Sequence, residues 1–476
     1  MHTPILKNFI DGRYVDAIGQ DTFDLISPVT GRPYARSPNS GQEDVDAAYA
    51  AAHSAFQIWG RSTPAARQRA LLALADAVER NGARLVDAQS RNTGQLKYLI
   101  AQEEVATSVD QIRYFAGAAH CLEGRATVEY MTGLTSSIRR EPLGVVGQVT
   151  HRNYPLMMAV WKIAPALAAN NTVVLKPSDT TPESTLLLAE LAAPYFPPGT
   201  FNVVLGRADT GALVVSHKTQ ALVSITGSVR AGLEVSASAA ANLTRAPLEL
   251  GGKAPVVVFD DADLDTAVPH IAMTGYFNAG QDCTAAARVL VARSIYDAFV
   301  LRLVDAARAT RYGSPDSQDA LYGPLNNADQ LARVQGYIDR LPKHATIEIG
   351  GRHVGQPGYY FEPTVITGLK QHDEAIQNGI FGTVITVQAF DSEQEAIALA
   401  NGVEYGLAAS VWTRDHARAT RLSRELDFGT VWINTHIPLT GEMPHGGFRH
   451  SGYGKDLLAY SFEEYTRVKH VMSANT

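Results

Sequence analysis

From Leu143 to Phe259 short β-branched runs alternate with helical stretches, a rhythm that few architectures accommodate. LGVVGQVT reads as a strand and PLMMAVWKIAPALAAN as a buried helix. NTVVLKP is a second strand, PESTLLLAELAAPYF a helix opened by Pro182, and FNVVLG a third strand. ALVSIT, a helix after Gly227 and KAPVVVF complete the series. Strands joined by such crossovers pair in parallel and leave the loops at their C-terminal ends free for ligands. The pattern therefore predicts a doubly wound α/β sheet.

The remainder divides by period. Val45 to Trp59, Pro64 to Arg80 and Glu103 to Ala116 carry apolar residues at helical spacing. FIDGRYV and FDLISPVTGRPYA read as hairpins turning at Asp11-Gly12 and Thr30-Gly31. A second α/β block runs from about Gly252 to Lys455. SSIRREP and EEYTRVKHVM alternate like strands without an obvious partner in either block; they either cap their own sheet or pair across a subunit interface. A chain of 476 residues fits two to three domains. Its net charge of −7 argues against nucleic acid or an anionic membrane as partner. The most apolar segment, Pro155 to Ala169, is interrupted by Lys162 and falls short of the ~20 residues of a membrane span. No leader-like apolar run opens the chain, and Cys121 and Cys283 are its two cysteines. A soluble, cytoplasmic protein without a disulfide framework is expected. The 14 histidines show no paired ligand spacing, so no metal is expected.

Three segments carry chemistry. In FNAGQDCTAAARV, Cys283 follows a Gly-Gln-Asp turn and precedes residues that suit a helix; a helix start stabilises thiolate. In APLELGGKAP, Glu249 lies among apolar residues, where a carboxylate's pKa rises toward that of a general base. In THRNYPL, Asn153 ends the first parallel strand, where an amide can donate to a developing oxyanion. Singly, each has a plainer reading: a small buried hydrophobe, a glutamate at a surface turn, a helix cap.

Together these segments resemble the aldehyde dehydrogenase superfamily over essentially the whole chain. NYPL, VVLKPSDTTPES, ITGS, LELGGKAPVVVFDDAD, GQDCTA, IFG, YGLAASVWT, WIN and MPHGG…SGYGKD stand in family order and spacing. The resemblance implies a Rossmann-like NAD-binding domain (1–121 and 142–251), an α/β catalytic domain (252–455) and a small β oligomerisation element (122–141 and 456–476), giving a homodimer or homotetramer. It implies that Cys283 attacks an aldehyde carbonyl, that the Asn153 amide holds the oxyanion with the Cys283 N–H, and that Glu249 activates the water releasing the acid. For the cofactor it implies Lys176 and Asp179 at the adenosine ribose, Gly227 and Ser228 at the diphosphate and Phe381 near the nicotinamide, with Ser178 and Leu250 also binding the cofactor. A carboxylate at Asp179 would favour NAD over NADP.

The sequence departs from the family pattern at five places, one of them a pair of residues. His151-Arg152 replace Pro-Trp before the asparagine, Asn170 replaces glycine, and Asp179 replaces glutamate. Gly379 stands where a glutamate holds the nicotinamide ribose, and Thr383 replaces proline. Gly379 and Arg152 would weaken NAD binding, or Arg152 would take a diphosphate or a substrate carboxylate. The intact trio with an altered cofactor grip also fits redox-neutral cysteine chemistry on an aldehyde, imine or ester, or a scaffold that kept its fold. Within the superfamily, RYFAGAAHCLEG, SSIRREPLGVV, INTH and EMPHGGFRHSGYGKD resemble the aminobutyraldehyde and betaine aldehyde dehydrogenases. That implies a small ω-aminoaldehyde as substrate, with Asp110 at the ammonium and Tyr154 and Trp161 as aromatic faces. An Arg152 directed into the substrate funnel would oppose such a cation.

Overall fold

The structure, a computed structural model, describes residues 3–355 and 357–475. The expected domain limits at 1 and 476, and the first two residues of the chain's start, lie outside the described residues. The alternating block forms a parallel core in the order Phe201–Val203, Thr172–Lys176, Val145–Val149, Gln220–Thr226, Leu248–Glu249. Antiparallel strands close its edges. The hairpin Asn8–Ile10 and Arg13–Val15 docks beside Phe201–Val203, and Gly452–Tyr453 docks beside Leu248–Glu249. From Val145–Val149 the chain winds outward through Thr172–Lys176 and Phe201–Val203, then returns to Gln220–Thr226 on the other side. The winding direction therefore reverses between Val145–Val149 and Gln220–Thr226, and the loops after these two strands flank a crevice.

KAPVVVF does not extend this sheet. Pro255–Val258 sits inside a second, seven-stranded sheet, between Arg288–Ala292 and Ala408–Trp412. Its runs of buried valine satisfy a strand covered on both faces and say nothing of which sheet takes it. SSIRREP and the tail pair with each other: Leu134–Pro142 aligns antiparallel with Thr466–Ala474, from Thr466 opposite Pro142 to Ala474 opposite Leu134. Val128–Met131 adds a third strand.

The helix Pro155–Ala168 is buried on all sides except at Met157, as a helix apolar all round requires. It packs in the main core with the helices Pro64–Arg80 and Ala106–Ala118. The segment predicted from Glu103 starts as a π-helical turn, Ile100–Val105, before the α-helix Ala106–Ala118. Among the described residues no helix is long and apolar enough to cross a membrane, and no cluster of three histidine, cysteine or acidic residues is placed to hold a metal.

Asn170 shows why a family glycine position tolerates this change. Its φ is +67°, a left-handed conformation that asparagine adopts more readily than most residues. Its Nδ2 donates to the Trp59 carbonyl at 2.8 Å, the Ser62 carbonyl at 3.1 Å and Ser62 Oγ at 2.7 Å. Asn170→Val combines a strained backbone with lost hydrogen bonds and should cost about 2–4 kcal/mol. Asn170→Gly loses the bonds alone. Unfolding midpoints should therefore fall in the order wild type, Asn170→Gly, Asn170→Val.

Candidate active site

Both loops at the reversal of the first sheet open onto one cavity of about 460 Å³, lined among others by His151, Arg152, Asn153, Gly227, Ser228 and Phe381. Glu249 and Cys283 line the same cavity. The three residues singled out for catalysis, far apart along the chain, thus face one space.

Cys283 does not open a helix. A 3₁₀ turn, Phe277–Gly280, precedes it, and Cys283-Thr284 form a turn leading into the strand Arg288–Ala292. Asn278 and Ala279 are left-handed there, at φ 51° and 55°. Gly252 packs against the back of this turn, and a Cβ there would collide with the Cys283 carbonyl. His436 Nε2 lies 2.7 Å from the Thr284 carbonyl; with its pKa pushed down to about 4 by burial, the ring is neutral and this nitrogen is the donor. Asp282 takes hydrogen bonds from Thr284 N at 2.6 Å and from the Tyr154 hydroxyl at 2.6 Å. Burial, together with the Asp282 and Glu249 carboxylates, pushes the Cys283 thiol well above its usual pKa, while the N–H groups of Cys283 and Thr284 pull it down. The expected lowering by a helix terminus is therefore replaced by a net rise.

Glu249 ends the two-residue strand Leu248–Glu249 and is 5% exposed. Burial, and then the Asp456 charge, raise its pKa well above the ordinary carboxylate range, and Lys162 and Lys455 oppose that rise. Its Oε1 has no partner among the described residues, and its Oε2 lies 3.7 Å from His445 Nε2. Lys162 Nζ donates to Asp456 Oδ2 at 2.8 Å in a pair that is almost wholly buried.

Asn153 is buried, and its carbonyl accepts from Gln95 Nε2 at 2.8 Å and Asn278 Nδ2 at 2.9 Å. Arg152 turns toward the reversal crevice. Its Nη2 donates to Gln330 Oε1 at 2.6 Å, and Gln330 Nε2 in turn donates to the Phe381 carbonyl at 2.6 Å. Arg333 donates to the Gly379 carbonyl at 2.8 Å. Thr383 is buried and donates through its hydroxyl to the Glu362 carbonyl at 2.9 Å, so the site accepts a hydroxyl in place of proline.

Ser228 caps the helix Val229–Ala241, its Oγ accepting from Ala231 N at 3.2 Å, and Gly227 N donates to the Glu249 carbonyl at 2.9 Å. Leu250 is buried beside Gly232 of that helix. Lys176, Ser178 and Asp179 lie beyond the cavity lining, at and after the end of Thr172–Lys176. Burial lowers the Lys176 pKa, and the Asp179 and Asp209 carboxylates oppose that.

The aromatic candidates are less united. Trp161 is buried edge-on to His445, ring centroids 5.1 Å apart, with its indole N–H unpartnered among the described residues. Tyr154 turns its hydroxyl to Asp282. Asp110 is exposed on the helix Ala106–Ala118; one turn on, Tyr114 packs against Gly441 and feels the Glu442 carboxylate. Gln95, Gln330 and Arg333 had no sequence signal of their own, whereas Lys162 breaks an apolar run and Asn278, His445 and Asp456 stand in the motif segments without showing a role there. Only the cap at Asn327, which accepts from Gln330 N at 2.8 Å, marks where Gln330's helix begins.

The Aldehyde dehydrogenase family model matches residues 14–471. An aldehyde dehydrogenase of Emericella nidulans is 39% identical over 99% of this chain and 97% of its own length. A betaine aldehyde dehydrogenase of Bacillus subtilis is 37% identical over 97% and 96%. Among solved structures, betaine aldehyde dehydrogenase from Staphylococcus aureus in complex with NAD+ superposes with a TM-score of 0.96 at 36% identity, covering 99% of this chain and 95% of the other. A point mutant of an aldehyde dehydrogenase from Bacillus cereus gives 0.97 at 36% identity over 99% and 97%.

Replacing Lys162 by methionine would leave the Asp456 carboxylate buried without its cation, at a cost of about 3–5 kcal/mol. Lys162→Met with Asp456→Leu removes both charges and should recover most of that loss, as read from thermal unfolding of the three proteins.

Proposed function

Because this chain belongs to the aldehyde dehydrogenase family, we propose that it oxidises a small aldehyde to the carboxylic acid with NAD, through a thioester on Cys283. The observation that supports this most directly is the sharing of one cavity by Cys283, Glu249 and Asn153. The cavity's chemistry suits a dinucleotide. The N-terminus of Val229–Ala241 opens on it, a terminus that favours phosphate. Arg152 Nε and Thr226 Oγ1, both lining it, are buried without a protein partner among the described residues.

Lys176 and Asp179, with Ser178, would hold the adenosine ribose. Gly227 and Ser228 would hold the diphosphate and Phe381 the nicotinamide, with Leu250 also lining the cofactor site. The Asp179 carboxylate disfavours a 2′-phosphate and so favours NAD over NADP. Gly379 offers the nicotinamide ribose no carboxylate, which weakens NAD binding by about 1–3 kcal/mol, or ~10–100-fold. Bound NAD supplies the acceptor for the hydride leaving the aldehyde carbon. Cys283 would give up its thiol proton to water and bond through the thiolate Sγ to that carbon, and the Asn153 amide with the Cys283 N–H would stabilise the oxygen's charge. Glu249, deprotonated, takes a proton from the water that cleaves the thioester.

An ω-aminoaldehyde such as 4-aminobutyraldehyde is the proposed substrate. Arg152 bonds to Gln330 beside Phe381, on the reversal crevice, so its charge does not stand against an ammonium group entering elsewhere. Asp110, with Glu442 near Tyr114, supplies negative charge on the helix Ala106–Ala118 side. Exposed Tyr130, Met131, Val468 and Met472 on the three-stranded sheet support assembly into a dimer or tetramer. Unpaired Cys121 and Cys283 accord with a cytoplasmic setting.

Two outcomes are expected on mixing the protein with NAD and 4-aminobutyraldehyde while following NADH. Cys283→Ala should form none. Glu249→Gln should release about one equivalent and stall, because the thioester forms but is not hydrolysed. Turnover by Cys283 without any need for NAD would instead establish redox-neutral chemistry. The raised pKa of Glu249 also sets a sign: its basic form is gained only as pH climbs above that raised value. The hydrolysis step should therefore slow as pH falls, at a higher pH than an ordinary carboxylate would give, and Glu249→Gln should lack this limb in single-turnover measurements.

A further inference from the structure

Asn153 can serve an oxyanion only in one of its two amide orientations. Its side chain has a carbonyl oxygen on one branch and an NH₂ on the other, and rotation by half a turn exchanges them. Two backbone contacts, from Gln95 and Asn278, hold the residue in place but leave that rotation free. The side chain is met by His151, whose Nδ1 lies 2.9 Å from Asn153 Oδ1. Asn153 Nδ2 has no protein acceptor among the described residues and belongs to a side chain lining the cavity with Cys283.

We propose that His151 is a positioning residue: its Nδ1–H fixes Asn153 Oδ1 and so commits the Asn153 NH₂ to the oxygen of the bound aldehyde. This rests on the assignment of Asn153 as the oxyanion donor under the proposed function. Burial and the adjacent Arg152 guanidinium push the His151 pKa down to about 3, so the ring is neutral and carries one N–H. A contact to a carbonyl oxygen requires that proton on Nδ1, since the bare nitrogen would face a second acceptor. The ring itself is steadied by Phe381, edge-on at 5.4 Å and 83°. His151 thus ties the oxyanion amide to the aromatic face of the cofactor crevice. The proline of the resembled motif offers no donor at this position, so the device belongs to this chain.

Steady-state kinetics of the full-length protein with NAD and 4-aminobutyraldehyde test it. His151→Phe keeps a ring against Phe381 and deletes the donor; it should lower kcat about 10–100-fold with KM for NAD little changed. His151→Asn can place an N–H close to the Nδ1 position and should restore most of the rate. His151→Gln carries its amide one bond further out and should not. In an Asn153→Ala background His151→Phe should cause no further loss, because the group it positions is gone. Wild-type kcat in His151→Phe, equal rates for the Asn and Gln variants, or losses that multiply in the double variant would each overturn the proposal. The Asn and Gln variants, alike in polarity, keep the comparison informative where the phenylalanine variant folds poorly. Full activity in Asn153→Ala alone would show instead that the oxyanion assignment itself is wrong.

Discussion

Removing an ionised group from water costs several kcal/mol, and this protein buries an ion pair, Lys162 with Asp456, beside a third ionisable group, Glu249. Lys162 and Asp456 neutralise one another at 2.8 Å, and Glu249 sits within their field with one oxygen unpartnered among the described residues. The pair does not hold Glu249 ionised: burial and the aspartate raise its pKa, and the lysine opposes that rise by less than the aspartate adds. The surroundings follow from this demand. The helix Pro155–Ala168 is apolar on every side but must carry Lys162 inward, and the segment bearing Asp456 must return from the second sheet to meet it. Gly452–Tyr453, just before Asp456, does so by pairing with Leu248–Glu249 itself. Glu249 and its electrostatic setting are thus tied by one short antiparallel ladder.

A second constraint is the position of the turn that carries Cys283. Cys283 is raised rather than lowered in pKa, so nucleophilicity is not stored in the resting thiol. The turn is instead held rigidly. Gly252 leaves no room behind it, His436 grips the Thr284 carbonyl, and Asp282 gathers Thr284 N and the Tyr154 hydroxyl.

The altered positions sort by what they touch. Asn170 and Thr383 satisfy local backbone needs, a left-handed φ in one case and a carbonyl within reach in the other. His151, Arg152 and Gly379 all face the cavity. Arg152 and Arg333 place two guanidinium groups there, held by Gln330 and by the Gly379 carbonyl. Two guanidinium groups in the crevice suit phosphate oxygens.

Much of this was legible in the chain. Period and length of the runs from Leu143 to Phe259 determined the parallel sheet, because crossover helices allow little else, and Cys283, Glu249 and Asn153 were readable as residue types in suitable local settings. The two early hairpins followed from their Asp-Gly and Thr-Gly turns. What sequence alone left open depends on contacts between distant segments. A buried valine run has no preference for one sheet over another, so Pro255–Val258 found its place only through packing. The helix start expected after Cys283 gave way to a turn because the strand Arg288–Ala292 follows too closely. The direction of Arg152 was decided by Gln330, nearly 180 residues away, and the orientation of the Asn153 amide by a histidine two residues before it whose ring had first to be buried. Local pattern sets which elements form; the long-range meeting of buried polar side chains decides what each of them faces.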